Sequence, residues 1–270
     1  MASAESPARL HRLAAGGVTV VVDPADGARL TSLAVGDVEL LGGVGTQVLE
    51  HGSFVMAPWA GRIRGGLLRV GSAEHQLPTV RTHPHAGHGL VVDRPWQVLE
   101  ASGQHLVLRC ELDGRWPFPG HVRQELRLGD RHLDQQVEVH ALADPFPATV
   151  GWHPWFRRVL HSGSVAELSF AAAGMLLRDA AGIPSGEVVA VPPGPWDDCF
   201  TGVRWPMTVT WPGALALDVS ADVEFAVVYD ERTPAFCVEP QSGPPDGPNT
   251  QPRMVLPEAP LVASMRWAWR

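Results

Sequence analysis

The stretch HVRQELRLGDRHLDQQVEVHA, residues 121–141, decides the fold class. Val122, Leu126 and Leu128 share one side of the first half, and Leu133, Val137 and Val139 share one side of the second. A period of two is that of a strand with one face buried, and the intervening Gly129-Asp130 is a turn pair, so the two halves are expected to fold back as an antiparallel hairpin. The same alternation recurs in GVTVVV (17–22), ARLTSLAV (28–35), HLVLRCEL (105–112), EFAVVYD (224–230) and MRWAWR (265–270), with turn pairs at Asp26-Gly27 and Gly36-Asp37. The chain holds 28 Gly and 25 Pro, which leaves few windows for a helix of more than about three turns. The sequence therefore predicts an all-β, antiparallel fold. No stretch has the composition of an interdomain linker and no repeat of fixed period is present, so residues 1–270 are expected to form a single domain, a β-sandwich rather than a propeller or solenoid.

Bulk chemistry narrows the function. Hydrophobic residues make up 45% and charged residues 19% of the chain, the balance of a globular protein with a real core. A net charge of -8 and the lack of a basic stripe argue against a nucleic-acid partner. All 21 basic residues are Arg, which excludes a Lys Schiff base or a P-loop Lys. Cys110, Cys199 and Cys237 are odd in number and far apart, so neither a disulfide framework nor a CxxC zinc site is expected. The start MASAESPARLHRLAAGG lacks the apolar core of a signal peptide, and no run approaches ~18 apolar residues, so a cytoplasmic protein without a membrane partner is expected.

Five segments combine polar groups with aromatic, Pro or Gly neighbours. In APWAGRIRGG (57–66), Arg62 offers a fork of donors suited to vicinal hydroxyls, and Trp59 could cover the apolar face of a sugar; a structural ion pair is the alternative for the arginine. THPHAGHGLVVDRPW (82–96) holds His83, His85 and His88. Residues 83 and 85 would project together from a strand and suggest a metal site, but Pro84 disfavours a regular strand there. Gly87 and Gly89 make His88 the better residue for close approach to a ligand, against the alternative of a loop histidine on the surface. In VGWHPWFRRV (150–159), His153 sits among aromatics, either as a proton donor or as a core histidine bonded to a carbonyl. In GPWDDCFTG (194–202), Asp197 and Asp198 cannot both point the same way from an extended chain, so one could accept from a ligand and the other be solvated or cap a turn. In CVEPQSGPPDGPN (237–249), Glu239 alternates with Val238 and would face the side of Cys237; it is a buried general base or a solvated acid at a strand end.

Taken in order, PWAGRI (58–63), HGLVVDRPW (88–96), GWHPWF (151–156), WDDCF (196–200) and VEPQSGPPDGPN (238–249) resemble the aldose 1-epimerase (galactose mutarotase-like) family, in particular its bacterial branch. The resemblance implies a galactose mutarotase-like β-supersandwich that interconverts the α and β anomers of an aldose without cofactor or metal. It assigns the general base to Glu239 and the general acid to His153. Substrate hydroxyls would be held by Arg62, His88 and Asp197, with Asp198 as the fallback, and Trp59 and Gln241 would complete the sugar site. Two positions depart from better-known members: Gly61 stands where they carry Asn, and Trp155 where an aromatic after the catalytic histidine is often Tyr.

The chemistry fits these residue types, because mutarotation takes a proton from the anomeric hydroxyl and delivers one to the ring oxygen, with no redox step. The expected partner is a free sugar, and the chain is expected to be a monomer or homodimer. Three rivals differ in what they need. A hexose-6-phosphate epimerase requires a cation cluster, for which Arg64, Arg69 and Arg81 are the scattered candidates. A glycosidase would pair Glu239 with one of the two aspartates. A non-catalytic sugar-binding module would not need both Glu239 and His153.

Overall fold

The computed structural model describes residues 10–79 and 83–270, so Arg81 lies outside the described residues. The hairpin at the centre of the sequence argument is present. Strands Gly120–Leu128 and His132–Ala141 pair antiparallel with Leu128 opposite Leu133, and the Gly129 N–H donates to the His132 carbonyl across the turn. Along both strands buried and partly exposed positions alternate without a break, as expected for a sheet with one wet face.

This hairpin lies within an eight-stranded antiparallel sheet that runs in space through Gln97–Ala101, His105–Glu111, the hairpin, Leu261–Trp269, Leu215–Ala221, Arg204–Trp211 and Glu167–Ala171. A larger sheet of eleven strands packs on it. Its middle consists of Arg29–Val35, Ser53–Met56, Gly151–Arg157, Ala235–Gln241, Phe225–Tyr229 and Asp197–Thr201, in that spatial order. One hydrophobic cluster joins the facing sides: Val55, Trp152, Phe156, Val238 and Phe200 from the larger sheet meet Leu126, Val137, Val209, Leu217 and Trp267 from the smaller. Phe156 meets Trp267 edge to face at 5.4 Å, and the Trp211 indole N–H crosses between the sheets to the Arg157 carbonyl at 3.0 Å. Each such side chain removed from water contributes roughly 1.5–3 kcal/mol.

The two central strands of the larger sheet differ from the hairpin. Six of seven positions of Gly151–Arg157 and all seven of Ala235–Gln241 are buried. One face of these strands packs into the core, and loops cover the other. A second apolar cluster forms on that covered face from Phe54, Met56, Ala60, Trp155 and Cys237. Strand parity therefore sorts AFCVEPQ into two sets: Phe236 and Val238 enter the core, while Cys237, Glu239 and Gln241 point to the covered face.

Candidate active site

The covered face carries a cavity of about 260 Å³ whose wall includes Arg62, His88, His153, Asp197, Glu239 and Gln241. These six residues come from five distant segments, and strand register explains their meeting. Glu239 lies opposite Val227, which lies opposite Cys199; Cys237 lies opposite both Tyr229 and Trp155; and Asp197 lies opposite Tyr229. Directly opposed residues share a face, so Asp197 is on the Glu239 side of the sheet, whereas Asp198, opposite Val228, has the parity of the core. Both aspartates border the cavity. Asp198 is tied at 2.8 Å to the Arg178 Nε, and Arg178 also reaches Asp197 at 3.2 Å.

At the floor, the His153 Nε2 lies 3.4 Å from the Glu239 Oε1. The imidazole is stacked on Phe54, with ring centres 4.7 Å apart, and its Nδ1 is 3.6 Å from the Cys237 sulfur. The Gln241 side-chain amide donates to Glu239 Oε2 at 3.2 Å. Glu239 is 3% and His153 5% exposed, and burial drives their proton affinities in opposite directions. Desolvation, then the charge of Asp197, pushes the Glu239 carboxyl well above its usual range, against opposing effects of Gln241 and Arg62. Desolvation, then His88 and Arg29, holds His153 well below the usual imidazole range. The ion pair and the neutral pair contain the same single shared proton, and burial favours the neutral arrangement with the proton on Glu239.

His88 closes one side, its ring 5.3 Å from that of His153. Its φ is +61°, a conformation a non-glycine residue adopts at a cost of about 1–2 kcal/mol, and its N–H donates to the Gly61 carbonyl at 2.7 Å. Burial, then Arg62, lowers its pKa to about 4, so the ring is neutral at ordinary pH. Its Nδ1 and the Gln241 Oε1 are buried without a partner among the described residues. Two unpaired polar atoms beside a cavity are suited to a ligand rich in hydroxyls.

Arg62 is held from behind. The Asp246 N–H donates to the Arg62 carbonyl at 2.6 Å, and the buried Asp246 carboxylate accepts from the Arg64 N–H at 3.1 Å and from the Asn249 side chain at 2.8 Å. The Pro/Gly loop after Gln241 thus fastens the Arg62 segment. Among the described residues the Arg62 guanidinium makes no ion pair, so the alternative of a structural pair does not hold. Gly61 has φ +61° and its missing Cβ would stand 3.3 Å from Pro245; Asn and Gly are the residues that enter this left-handed region most readily, which accounts for glycine in place of asparagine.

One expectation needs correction. Trp59 does not cover the cavity. It is 1% exposed and stacks on Trp116 at 5.8 Å within the core, because its segment is irregular and the side chain turns inward. Trp155 lines the cavity instead, its indole N–H on the Leu49 carbonyl at 2.8 Å and its ring edge to face with Tyr229. Of the histidines in segment 82–96, His88 lines the cavity, while the His83 and His85 rings lie 4.6 Å apart elsewhere, and His85 accepts from the Gly65 N–H and places Nε2 at 2.9 Å from the Ala181 carbonyl, so both its ring nitrogens are spent on backbone. The metal-capable group found among the described residues is His153, Cys237 and Glu239, with one donor atom from each all within 4.8 Å of one another. Sequence reading also missed Arg178, Tyr229, Arg232 and the rim residues Leu49 and Glu50 as wall residues. None carries a local signal, since they are assembled by register and by a loop.

Comparison with known proteins agrees with this architecture. The aldose 1-epimerase family profile matches residues 9–201. The uncharacterized protein YihR of Escherichia coli K12 is 25% identical over 236 residues, covering 78% of this chain and 76% of that protein. A candidate aldose 1-epimerase from Escherichia coli K12 superposes with a TM-score of 0.86 at 19% identity, over 97% of this chain and 99% of that one. A galactose mutarotase-like protein from Clostridium acetobutylicum gives 0.84 at 16% identity, over 96% and 94%. The supersandwich is thus shared, and with a profile match across most of its length the chain belongs to the aldose 1-epimerase family.

Proposed function

We propose that the protein is an aldose 1-epimerase that interconverts the α and β anomers of a free hexose. The observation that carries this reading is the buried His153–Glu239 pair, 3.4 Å apart on the floor of a cavity that also presents Arg62, His88 and Asp197. O1 and O5 of an aldopyranose are bonded to the same carbon, so two groups this close can address both. From the charge-separated form of the pair, reached when the shared proton passes from Glu239 to His153, the Glu239 carboxylate takes the O1 proton, His153 gives one to O5, and the C1–O5 bond breaks to leave an aldehyde. After rotation about C1–C2, closure on the other face reverses both transfers. The pair holds one proton before and after, so protons balance without a further donor. A positioned acid or base supplies typically ~10²–10⁴ in rate.

Arg62, His88, Asp197 and Gln241 are assigned to sugar hydroxyls, and Trp155 to the ring face. A volume of about 260 Å³ is near the lower end of the ~300–1,000 Å³ range of ligand pockets and suits one monosaccharide. A free sugar is favoured over a 6-phosphate because two of the three arginines considered for phosphate are engaged, Arg64 by Asp179 at 2.7 Å and Arg69 by Glu74 at 3.1 Å, the third, Arg81, lying outside the described residues. The test is polarimetry or NMR of freshly dissolved single anomers across several aldoses and their 6-phosphates. Equilibration of free aldoses faster than in buffer is expected; no acceleration of any of them, or acceleration of the phosphates alone, would refute the assignment.

A further inference from the structure

We infer that His153, Cys237 and Glu239 also form a binding site for a thiophilic divalent cation of the zinc class, and that the ion inhibits the enzyme by occupying the acid–base pair. The inhibition rests on the proposed function; the coordination does not. Nitrogen, sulfur and oxygen donors from the three residues lie within 4.8 Å of one another. With Zn–N, Zn–O and Zn–S bonds of ~2.0–2.3 Å, tetrahedral geometry separates its ligands by roughly 3.3–3.6 Å. Either of the observed separations, 3.4 Å from His153 Nε2 to Glu239 or 3.6 Å from His153 Nδ1 to Cys237, matches one such edge. Because these contacts use opposite nitrogens of one ring, a shift of one side chain is needed to bring the third donor in. Three protein ligands then leave the fourth position facing the cavity, the arrangement of an open zinc site.

Charge and softness favour the same class of ion. A thiolate and a carboxylate together cancel the charge of a divalent cation, which makes a buried complex tolerable where either anion alone is costly. The thiol and neutral imidazole select zinc or cadmium over magnesium or calcium, which prefer all-oxygen shells. On binding, Cys237 and the Glu239–His153 pair release their protons to solvent as the ligand bonds form. The nitrogen lone pair and the carboxylate oxygen are then held by the metal, so neither exchanges a proton with a sugar. Cys237 has no part in the proposed proton transfers, which separates metal sensitivity from catalysis.

The experiment titrates full-length wild type, C237A and C237S with Zn²⁺ by calorimetry and with Co²⁺ by absorption, alongside anomer interconversion with Zn²⁺ or Mg²⁺ present. Expected are one zinc bound per chain with proton release, a thiolate-to-cobalt charge-transfer band, and inhibition by Zn²⁺ but not Mg²⁺ that EDTA reverses. Both variants should lose the band and bind zinc more weakly by at least the ~10- to 100-fold that loss of an outer-sphere partner costs, with inhibition of each read against its own metal-free rate. Unfolding midpoints identify any variant that fails to fold, and the other then decides. A band or an inhibition constant unchanged in the folded variants would overturn the inference, since Cys110, Cys199 or surface histidines would be the ligands. Loss of the band in C237A from a wild type without activity on any sugar would uphold the metal site and refute the proposed function.

Discussion

Replacing Glu239 by Gln is expected to make the protein slower and more stable at once. The substitution keeps size and shape, and the Gln oxygen still faces His153 Nε2, from which Glu239 stands at 3.4 Å. Loss of the base should lower kcat/KM by ~10²–10⁴, equivalent to about 3–5 kcal/mol of transition-state stabilisation. The stability change follows from the carboxyl's environment: burial, with the charge of Asp197 second, raises its pKa well above the ordinary 4.5. A group whose folded pKa is raised contributes stability that is complete below its unfolded pKa and lost as pH rises through the folded one. Glu239→Gln should therefore melt near wild type below pH 4.5 and progressively above it as pH rises, levelling off beyond the folded pKa. For a 270-residue chain at roughly 2.1 cal/mol/K per residue, each 1 kcal/mol gained corresponds to about 2 °C. Melting curves from pH 4 to 9, paired with polarimetry, give both readouts. A folded variant that retains activity within tenfold of wild type would refute the base assignment, and a stability gain over wild type that fails to grow as pH rises would refute the account of the buried carboxyl.

Arg62→Ala removes charge-assisted hydrogen bonds worth about 1.5–3 kcal/mol, so KM should rise roughly 10- to 100-fold while the melting midpoint stays put, as measured by initial rates and calorimetry. Asp197→Asn removes a charge that raises the Glu239 pKa, so any limb of the pH–rate profile set by that carboxyl should move to lower pH; Asp198→Asn should leave the limb in place. Trp59→Ala should cost about 3–5 kcal/mol in denaturant unfolding with little change in KM, whereas Trp155→Ala should raise KM.

How much of this was legible in the sequence depends on which strands are wet on one side. The 121–141 hairpin alternates because its outer face meets solvent, and its pairing could be read directly. Gly151–Arg157 and Ala235–Gln241 are buried on both faces, so WHPWF and AFCVEPQ show no polar period and stand out only by the order of their motifs. Parity still worked inside them: Glu239 does share a face with Cys237. It fails for Trp59, whose segment has no regular pleat and whose direction was therefore not encoded in a pattern. Arg178 and Tyr229 were invisible because nothing near them in sequence indicates that their strands flank the Glu239 strand at this register.

The same parity explains how a site of poor intrinsic stability is tolerated. Glu239 and His153 are buried in ionisation environments that oppose charge, and His88 holds a left-handed backbone, so this face opposes folding. The opposite faces of the same two strands place Trp152, Phe156, Phe236 and Val238 in the core, at roughly 1.5–3 kcal/mol each. A one-residue slip of Ala235–Gln241 would send Glu239 into the apolar core and Val238 into the cavity, so the hydrophobic face also fixes the register that aligns Glu239 with His153. Catalytic geometry and core packing are thus two readings of a single alternation, and the stability offset comes from the very strands that need it.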